Sequence, residues 1–234
     1  MSGRFPSAAG SQSKDDLRQT GVSIAGMREN DVRRFNRWAA DYDQSRLQRL
    51  FFGRVQGGVL DIVSSLRPQL DRLLDVGCGT GALLREAAKR FRAGELYGVD
   101  PASEMVRIAQ KAASPNSRLH FLEAPAQSLP FPDAHFDVVL STVSFHHWGD
   151  QSQGLAEAGR VLAPGGTFVL ADMFAVGAGR FMYALARSRD RFHTKQEVEA
   201  LLKAVGLPVV GWKVVYRVGP VRAVWAVFSR KPEG

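Results

Sequence analysis

One stretch, residues 73 to 81, constrains the fold of this chain more than any other. An apolar run ends in Asp75, and Gly77, Gly79 and Gly81 follow at alternate positions before a helix-compatible segment begins at residue 82. This pattern predicts a strand, a tight turn and a helix start, because glycine allows positive φ and the close approach of a ligand. Backbone N–H groups at the helix start would face that ligand.

Apolar runs alternate with amphipathic segments along the rest of the chain, which predicts repeated βαβ units. The runs are continuous, so the predicted fold is a doubly wound α/β sheet, mostly parallel and covered on both faces. Strands are predicted at residues 71–76, 96–100, 119–122, 136–141, 167–171, 212–218 and 221–229, and helices at 80–92, 101–113, 151–162 and 194–205. The last two of the seven strands are joined at Gly219 and Pro220, and so short a link predicts an antiparallel C-terminal hairpin.

Two further segments flank or interrupt this pattern. Residues 1–26 are rich in small and polar residues without an apolar period, which predicts a disordered leader. Residues 27–66 carry apolar positions at helical spacing and are predicted to form a helical N-terminal lid. Residues 173–193 are predicted to be a substrate-covering insertion. The whole of 27–234 is predicted to be a single domain, which is a normal domain size.

Charge and cysteine content limit the classes of function. Residues 180–234 hold 11 of the 31 Lys and Arg residues but only 4 of the 23 Asp and Glu residues. This local surplus fits either a solvated basic face or contact with an anionic surface. The single cysteine, Cys78, excludes an internal disulfide and a cysteine-rich metal site. No apolar run approaches the roughly 20 residues of a membrane span. A cytoplasmic protein without a metal is predicted.

Three ligands compete for a strand, glycine turn and helix of this kind. A nucleoside triphosphate is excluded because no Gly-Lys-Ser/Thr follows the turn. The glycine spacing departs from the dinucleotide pattern, and Asp75 would repel a pyrophosphate but would complement an ammonium group. Asp100 ends the next strand, where its carboxylate is able to accept hydrogen bonds from ribose hydroxyls. These two acids favour S-adenosylmethionine.

The same residues carry a family resemblance. Residues 73–81, Asp100 and the run Arg160-Val-Leu-Ala-Pro-Gly-Gly166 resemble the class I S-adenosylmethionine-dependent methyltransferases, as do residues 129–133 with 136–139. The chain is most similar to the small-molecule branch that includes the ubiquinone and menaquinone biosynthesis enzymes. The resemblance implies a Rossmann-like fold, S-adenosylmethionine as cofactor, and a role for Tyr42 in closing the cofactor pocket.

A full cofactor site follows from the turn and the resemblance together. It is predicted to contain Tyr42, Asp75, Gly77, Cys78, Gly79, Thr80, Gly81, Asp100, Pro101, Met105, Ala126, Gln127 and Ser141. One position departs from the family pattern, since Pro125 stands where an acidic residue usually contacts the adenine amino group. The Ala126 N–H is then expected to contact adenine, with Gln127 or Glu123 as the acceptor. Cys78 is expected to be a small packing residue, not a nucleophile.

The methyl acceptor is predicted to lie beside the loop after the fourth strand, at the carboxyl edge of the sheet. His146 and His147 in this loop are candidate general bases, although the resemblance implies an alternative, because such a pair is common in the family and often only packs or caps the following helix. Phe145, Phe174, Tyr183 and Arg180 are predicted to contact the substrate, whose surroundings are apolar and basic.

The predicted reaction is in-line methyl transfer to an O, N or C atom of a small, aromatic or amphiphilic molecule. Two alternatives remain. The basic final quarter suggests nucleic-acid methylation, although no base-clamping motif accompanies it, and Pro125 suggests a cofactor-binding protein without catalysis. The expected partner is a small-molecule acceptor and not a nucleic acid, with peripheral membrane contact by a basic amphipathic segment as a further expectation. A monomer or a homodimer is expected.

Overall fold

The computed structural model describes residues 29–42, 46–91, 94–114, 117–176, 192–218 and 221–233. The helices are α1 Glu29–Tyr42, α2 Arg46–Leu66, α3 Ala82–Arg90, α4 Ser103–Ala112, α5 Gln151–Val161 and α6 Lys195–Ala204, with a short 3-10 helix at Phe145–His147. The strands are β1 Arg72–Val76, β2 Glu95–Asp100, β3 Leu119–Glu123, β4 Phe136–Thr142, β5 Leu162–Asp172, β6 Val209–Val218 and β7 Val221–Arg230.

All seven strands form one sheet in the order β3-β2-β1-β4-β5-β7-β6. The pairs from β3 to β5 are parallel, whereas β7 is antiparallel to both β5 and β6. Strand β1 is central, and its Leu74 pairs with Tyr97 of β2 and Val139 of β4. The predicted Rossmann-like α/β fold and its antiparallel C-terminal hairpin are therefore confirmed.

The sheet is covered on both faces, as continuous apolar strands require. Successive residues of β1 point to opposite faces, so Leu73 joins one core cluster and Leu74 joins the other. Helices α2, α3 and α4 pack on the Leu73 face, and α5 and α6 pack on the Leu74 face. Both leucines are fully buried, which stabilises the fold by about 1.5–3 kcal/mol for each side chain. The loops at the carboxyl ends of the strands are thus held on a rigid layer.

Most element boundaries differ from the predicted ones by one to three residues. Strand β5 is the largest difference, since it begins at Leu162 and not at residue 167. The register between β4 and β5 shifts between Phe136 and Val138, which is the mark of a β-bulge. The segment Ala163-Pro-Gly-Gly166 therefore continues the strand through the bulge. Thr194 and Glu197 form the predicted capping box at the start of α6.

The N-terminal region contains two helices, α1 and α2, within the predicted helical lid. The predicted leader, residues 1–26, and most of the predicted insertion, at 177–191, lie outside the described residues. No helix within the described ranges is long and apolar enough to cross a bilayer.

Candidate active site

The glycine turn lies at the carboxyl end of the central strand β1. Gly77, Gly79 and Gly81 all have positive φ, at 81°, 54° and 76°. A Cβ atom added to Gly77 would collide with the Ser144 hydroxyl, whereas one added to Gly79 would meet no atom within 4 Å. Gly77 is thus required by packing, and Gly79 leaves open space beside the backbone. The turn has the shape of a cradle for a ligand.

Asp100, at the end of β2, fixes this cradle from the neighbouring strand. Its carboxylate accepts hydrogen bonds from the N–H groups of Gly79 and Ala102, each at 2.9 Å. Burial raises the pKa of Asp100 to about 6, although these two hydrogen bonds oppose the shift. A carboxylate offers about four lone-pair sites, so two bonds leave acceptors for ligand hydroxyls. The residue fits the predicted ribose contact.

Asp75 is the second buried acid of the site. Its Oδ1 atom has no hydrogen-bond partner among the described residues. Burial, with a smaller contribution from the charge of Asp100, raises the pKa of Asp75 to about 8. A buried acceptor without a partner destabilises the fold, and a cationic ligand group would remove that penalty. Two buried acids beside a glycine cradle fit a ligand that carries an ammonium group and hydroxyls.

The remaining two side chains of the turn, Cys78 and Thr80, are buried, and their predicted cofactor contacts stay predictions. A Cβ added to Gly98 of β2 would lie 2.8 Å from the Cys78 sulfur. Burial and the charges of Asp100 and Asp75 raise the pKa of the Cys78 thiol, which disfavours the nucleophilic thiolate. This agrees with the expected packing role of Cys78.

Residues of the predicted adenine end follow β3. Ala126 is buried, and the N–H of Ser128 donates to the Pro125 carbonyl at 3.2 Å. The Gln127 side-chain amide donates to the Asp150 carbonyl at 3.2 Å, at the start of α5, and Glu123 is exposed. The adenine contacts of Ala126, Gln127 and Glu123 stay predictions.

Met105 and Pro101 lie at the start of α4, just beyond Asp100. Met105 is buried in a small cluster with Ala102 and with Ala39 of α1, while Pro101 is half-buried. Helix α1 contains Tyr42 at its last position, but the Tyr42 side chain lies outside the described part of the structure. Its predicted role in closing the pocket stays a prediction.

A hydroxyl network ties the glycine turn to the loop after β4. The Ser144 hydroxyl donates to the Val76 carbonyl at 3.1 Å, so it must accept from its other two partners. Those partners are the Ser141 hydroxyl at 2.8 Å and the Trp148 indole N–H at 3.2 Å. Ser141, predicted to contact the cofactor, is fully buried in this network. Ser144 therefore fixes the loop after β4 against the end of β1.

The first residues after this serine form the 3-10 helix and place His146 against Asp172. The Nδ1 atom of His146 lies 2.8 Å from Oδ1 of Asp172, which ends β5 and is fully buried. The His146 backbone N–H donates to Oδ2 of Asp172 at 3.2 Å, and the Met173 N–H donates to Oδ1 at 2.7 Å. A carboxylate oxygen accepts, so the His146 Nδ1 atom carries a hydrogen, and in the neutral imidazole the lone pair is then on Nε2.

His147 faces a different element. Its Nδ1 atom lies 3.9 Å from Oδ2 of Asp31 in α1, and its ring makes an edge contact with Phe35 of α1 at a centroid distance of 5.1 Å. The rings of His146 and His147 are 3.9 Å apart. The two histidines are thus adjacent but contact different elements: His146 contacts the end of β5, and His147 contacts helix α1.

Of the four predicted substrate residues, two are buried and two lie outside the described residues. Phe145 is buried against Trp148 and lies 5.7 Å from the ring of His193. Phe174 is buried in the core, with an edge contact to Trp212 at 5.4 Å. Tyr183 and Arg180 lie outside the described residues. No group of three or more His, Cys, Asp or Glu side chains in the described ranges is arranged to hold a metal ion.

Sequence reasoning missed Asp172, although a signal for it was present. Asp172 ends the apolar run of β5 just as Asp75 and Asp100 end those of β1 and β2. Carboxyl ends of parallel strands meet at one edge of the sheet, so an acid there is a candidate site residue. The contacts of Asp31 and Asn36 in α1 carried no comparable signal.

This fold and this pair of acids beside a glycine cradle define a class I S-adenosylmethionine-dependent methyltransferase. The sequence profile of the family described as "Methyltransferase domain" matches residues 74–170. The chain is 35% identical over 185 residues to the malonyl-[acyl-carrier protein] O-methyltransferase of Geobacter sulfurreducens, covering 74% of this chain and 67% of the relative. The chain therefore belongs to the class I S-adenosylmethionine-dependent methyltransferases, with S-adenosylmethionine as its cofactor.

Two other comparisons agree with this assignment. The chain is 40% identical over 111 residues to the demethylmenaquinone methyltransferase of Deinococcus radiodurans, a match that covers 47% of this chain and 46% of that protein. The fold is also that of the 1,6-didemethyltoxoflavin-N1-methyltransferase of Burkholderia thailandensis, whose structure contains 1,6-didemethyltoxoflavin and S-adenosylhomocysteine. The TM-score is 0.67 at 20% identity, over 90% of this chain and 92% of that one. The predicted resemblance to the small-molecule branch is confirmed.

Proposed function

We propose that this chain transfers a methyl group from S-adenosylmethionine to an O, N or C atom of a small molecule, with His146 as the general base. The observation that carries the proposal is the hydrogen bond between His146 and Asp172 at the carboxyl edge of the sheet. The loop that bears His146 is joined to the end of β1 through Ser144. A base is thereby held beside the glycine cradle.

The cofactor would be held by the backbone of the glycine turn and by the two buried acids. Asp75 would bind the ammonium group, which provides its Oδ1 atom with the partner it lacks. Asp100 would accept from the ribose hydroxyls while it keeps its bonds to Gly79 and Ala102. When bound, S-adenosylmethionine supplies a methyl group on a sulfonium, which is already an activated donor. The protein then has to orient the acceptor and exclude water.

His146 would remove the proton from an acceptor that carries one. Its Nδ1 hydrogen is directed at Asp172, which leaves the Nε2 lone pair as the base. Asp172 is fully buried and also accepts two backbone N–H groups, so the ring is held in one orientation and one tautomer. A hydroxyl or amine acceptor suits this arrangement best, because methylation of either releases a proton.

A small, aromatic or amphiphilic acceptor is the proposed substrate class. By their names, the relatives described above act on demethylmenaquinone, malonyl-[acyl-carrier protein] and 1,6-didemethyltoxoflavin. The first and the third support a small acceptor for this chain. Phe145, Phe174, Tyr183 and Arg180 remain the proposed acceptor contacts. A cytoplasmic location, a monomeric or dimeric state and peripheral membrane contact remain predictions.

Label transfer from S-adenosylmethionine tests the proposal. The protein is incubated with methyl-labelled S-adenosylmethionine and either a low-molecular-weight metabolite extract or total RNA. Label is expected in the metabolite fraction, and its rate of appearance is expected to fall about 10²-fold or more in the His146→Asn variant. Label in the RNA would instead support nucleic-acid methylation. Cofactor binding without label in either fraction would support a protein that has lost catalysis.

A further inference from the structure

Helix α1 crosses the edge of the sheet that holds the glycine turn. On one side its Asn36 side chain accepts a hydrogen bond from the Glu104 N–H at 3.0 Å, in the first turn of α4. On the other side its Asp31 and Phe35 contact His147, in the 3-10 helix after β4. Strand β2 leads into α4, and β2 and β4 lie on either side of β1. Helix α1 therefore bridges the two flanks of the cofactor cradle.

These contacts lie on one face of α1. Asp31, Phe35 and Ala39 follow at intervals of four residues, which places them above one another on the helix surface. Ala39 packs with Met105 and Ala102 at the start of α4. Asn36 provides the side-chain oxygen at the start of α4 that the N-cap residue Ala102 does not provide itself. One end of the bridge is thus fixed to the strand and helix that carry Asp100.

The other end of the bridge depends on one side chain. His147 is largely buried, with 12% of its side chain exposed, and Asp31 is 20% exposed. Asp31 is shared with Arg34, whose guanidinium lies 3.3 Å away and whose side chain is 40% exposed. From the 3-10 helix His147 contacts Asp31 and Phe35 of α1, whereas His146 is directed at Asp172. The adjacent histidines therefore have separable roles.

We infer that His147 is a positioning residue that docks helix α1 across the cofactor site, and that this contact slows release of the cofactor. The inference rests on the proposed function, because the glycine cradle has to hold the cofactor. It assigns the base to His146 alone. It also gives the N-terminal helix a specific partner, where sequence reasoning identified only a lid.

Variants at the two ends of this contact test the inference. His147→Ala and Asp31→Asn are each expected to speed release of S-adenosylmethionine roughly tenfold. The double variant is expected to release the cofactor no faster than His147→Ala, because the contact that Asp31→Asn weakens is already absent without the His147 ring. Arg37→Ala is the matched control, since Arg37 is an exposed residue of the same helix. The inference would be overturned if the double variant raised the rate of cofactor release by the product of the two single effects.

The variant His147→Gln separates docking from catalysis. Glutamine offers a polar side chain of similar length near Asp31 but has no group that titrates as a base. Single-turnover methyl transfer at saturating cofactor is therefore expected to stay within about threefold of the wild-type rate, in contrast to His146→Gln. A loss as large as that of His146→Gln would make His147 a base and would overturn the inference.

Hydrogen exchange distinguishes a failure of the inference from a failure of the proposed function. In the cofactor-free protein, amides of α1 between residues 33 and 40 are expected to exchange faster in His147→Ala than in wild type or Arg37→Ala. Unchanged exchange would refute docking by His147, whatever the cofactor. Faster exchange in His147→Ala would support docking of α1 by His147. If the protein then showed no detectable binding of S-adenosylmethionine, the proposed function would be contradicted, and so would the role of His147 in cofactor release.

Discussion

The Nδ1 atom of His146 lies 2.8 Å from Oδ1 of Asp172, and both side chains are almost fully buried. This pair joins the loop after β4 to the end of β5, two parallel neighbours in the sheet. The hydrogen bond fixes the tautomer that leaves Nε2 as the proton acceptor. This geometry suits the proposed general base and its orienting group, at the edge where α/β proteins bind ligands.

Removal of the orienting acid should slow the reaction without weakening cofactor binding. Asp172→Asn replaces a pure acceptor by an amide, which is able to hold the wrong histidine tautomer. A fall of about 10- to 100-fold in the single-turnover rate is expected, with S-adenosylmethionine affinity unchanged. The control is His120→Gln. His120 lies on the edge strand β3, and its ring is paired with the carboxylate of Glu95. Equal rates for Asp172→Asn and wild type would show that Asp172 only packs.

The stability of the cofactor-free protein should depend on the pH through Asp75. Burial raises the pKa of Asp75 to about 8, so the folded chain keeps a proton that the unfolded chain loses near pH 4. The unfolded state binds fewer protons in that window, and stability from this group therefore falls as the pH rises from about 4 to about 8.

The variant Asp75→Asn checks this sign. Its stability relative to wild type should increase by roughly 1.4 kcal/mol for each pH unit as the pH rises from about 5 to about 8. The exposed Asp71 provides the control Asp71→Asn, for which no such trend is expected. Thermal unfolding across this pH range measures both. A constant difference between Asp75→Asn and wild type would exclude Asp75 as the titrating group.

Asp100 should matter more for binding than for folding. Asp100→Asn keeps one acceptor but places an amide donor against either Gly79 or Ala102, which now bond to the carboxylate. Affinity for S-adenosylmethionine is expected to fall about 10- to 100-fold, which corresponds to roughly 1.4–2.8 kcal/mol. Calorimetric titration measures this. Wild-type affinity in the variant would exclude the ribose contact.

Two glycines with the same backbone conformation should respond differently to alanine. Gly77→Ala introduces a Cβ that collides with the Ser144 hydroxyl, so it should destabilise the protein by about 2–4 kcal/mol. Gly79→Ala meets open space and carries only the strain of positive φ, about 1 kcal/mol. It should mainly weaken cofactor binding. Chemical unfolding measures the free energy of unfolding of both variants. Equal destabilisation would contradict a packing role for Gly77 and a binding role for Gly79.

The sheet was predictable because its strands are largely apolar and end at recognisable signals. Every one of the seven strands was predicted, as was the antiparallel hairpin, since residues 219 and 220 leave no room for a crossover. The extension of β5 to Leu162 was missed, because Pro164, Gly165 and Gly166 have the composition of a turn. These residues lie where the register between β4 and β5 shifts, between the pairs Phe136–Leu162 and Val138–Thr167, and only tertiary contact with β4 sets that register.

The two acids proposed to bind the cofactor could be located from the sequence because each lies at the end of an apolar run, next to a turn. The different partners of His146 and His147 could not be predicted, because adjacent residues of a loop have no periodicity that assigns them to faces. Their directions follow from the 3-10 helix Phe145–His147, which the sequence did not indicate. Asp31 and Asn36 contact residues about 70 to 120 positions away, and only the fold brings them there.

The most direct test of the central claim is a calorimetric titration of the wild-type protein with S-adenosylmethionine near neutral pH, in two buffers of different ionisation enthalpy. One binding site per chain is expected, with release of part of a proton, because the ligand ammonium lowers the raised pKa of Asp75. The apparent enthalpy should therefore differ between the buffers, and the difference should vanish in Asp75→Asn if that variant still binds. No binding at a cofactor concentration of about 1 mM would contradict the central claim.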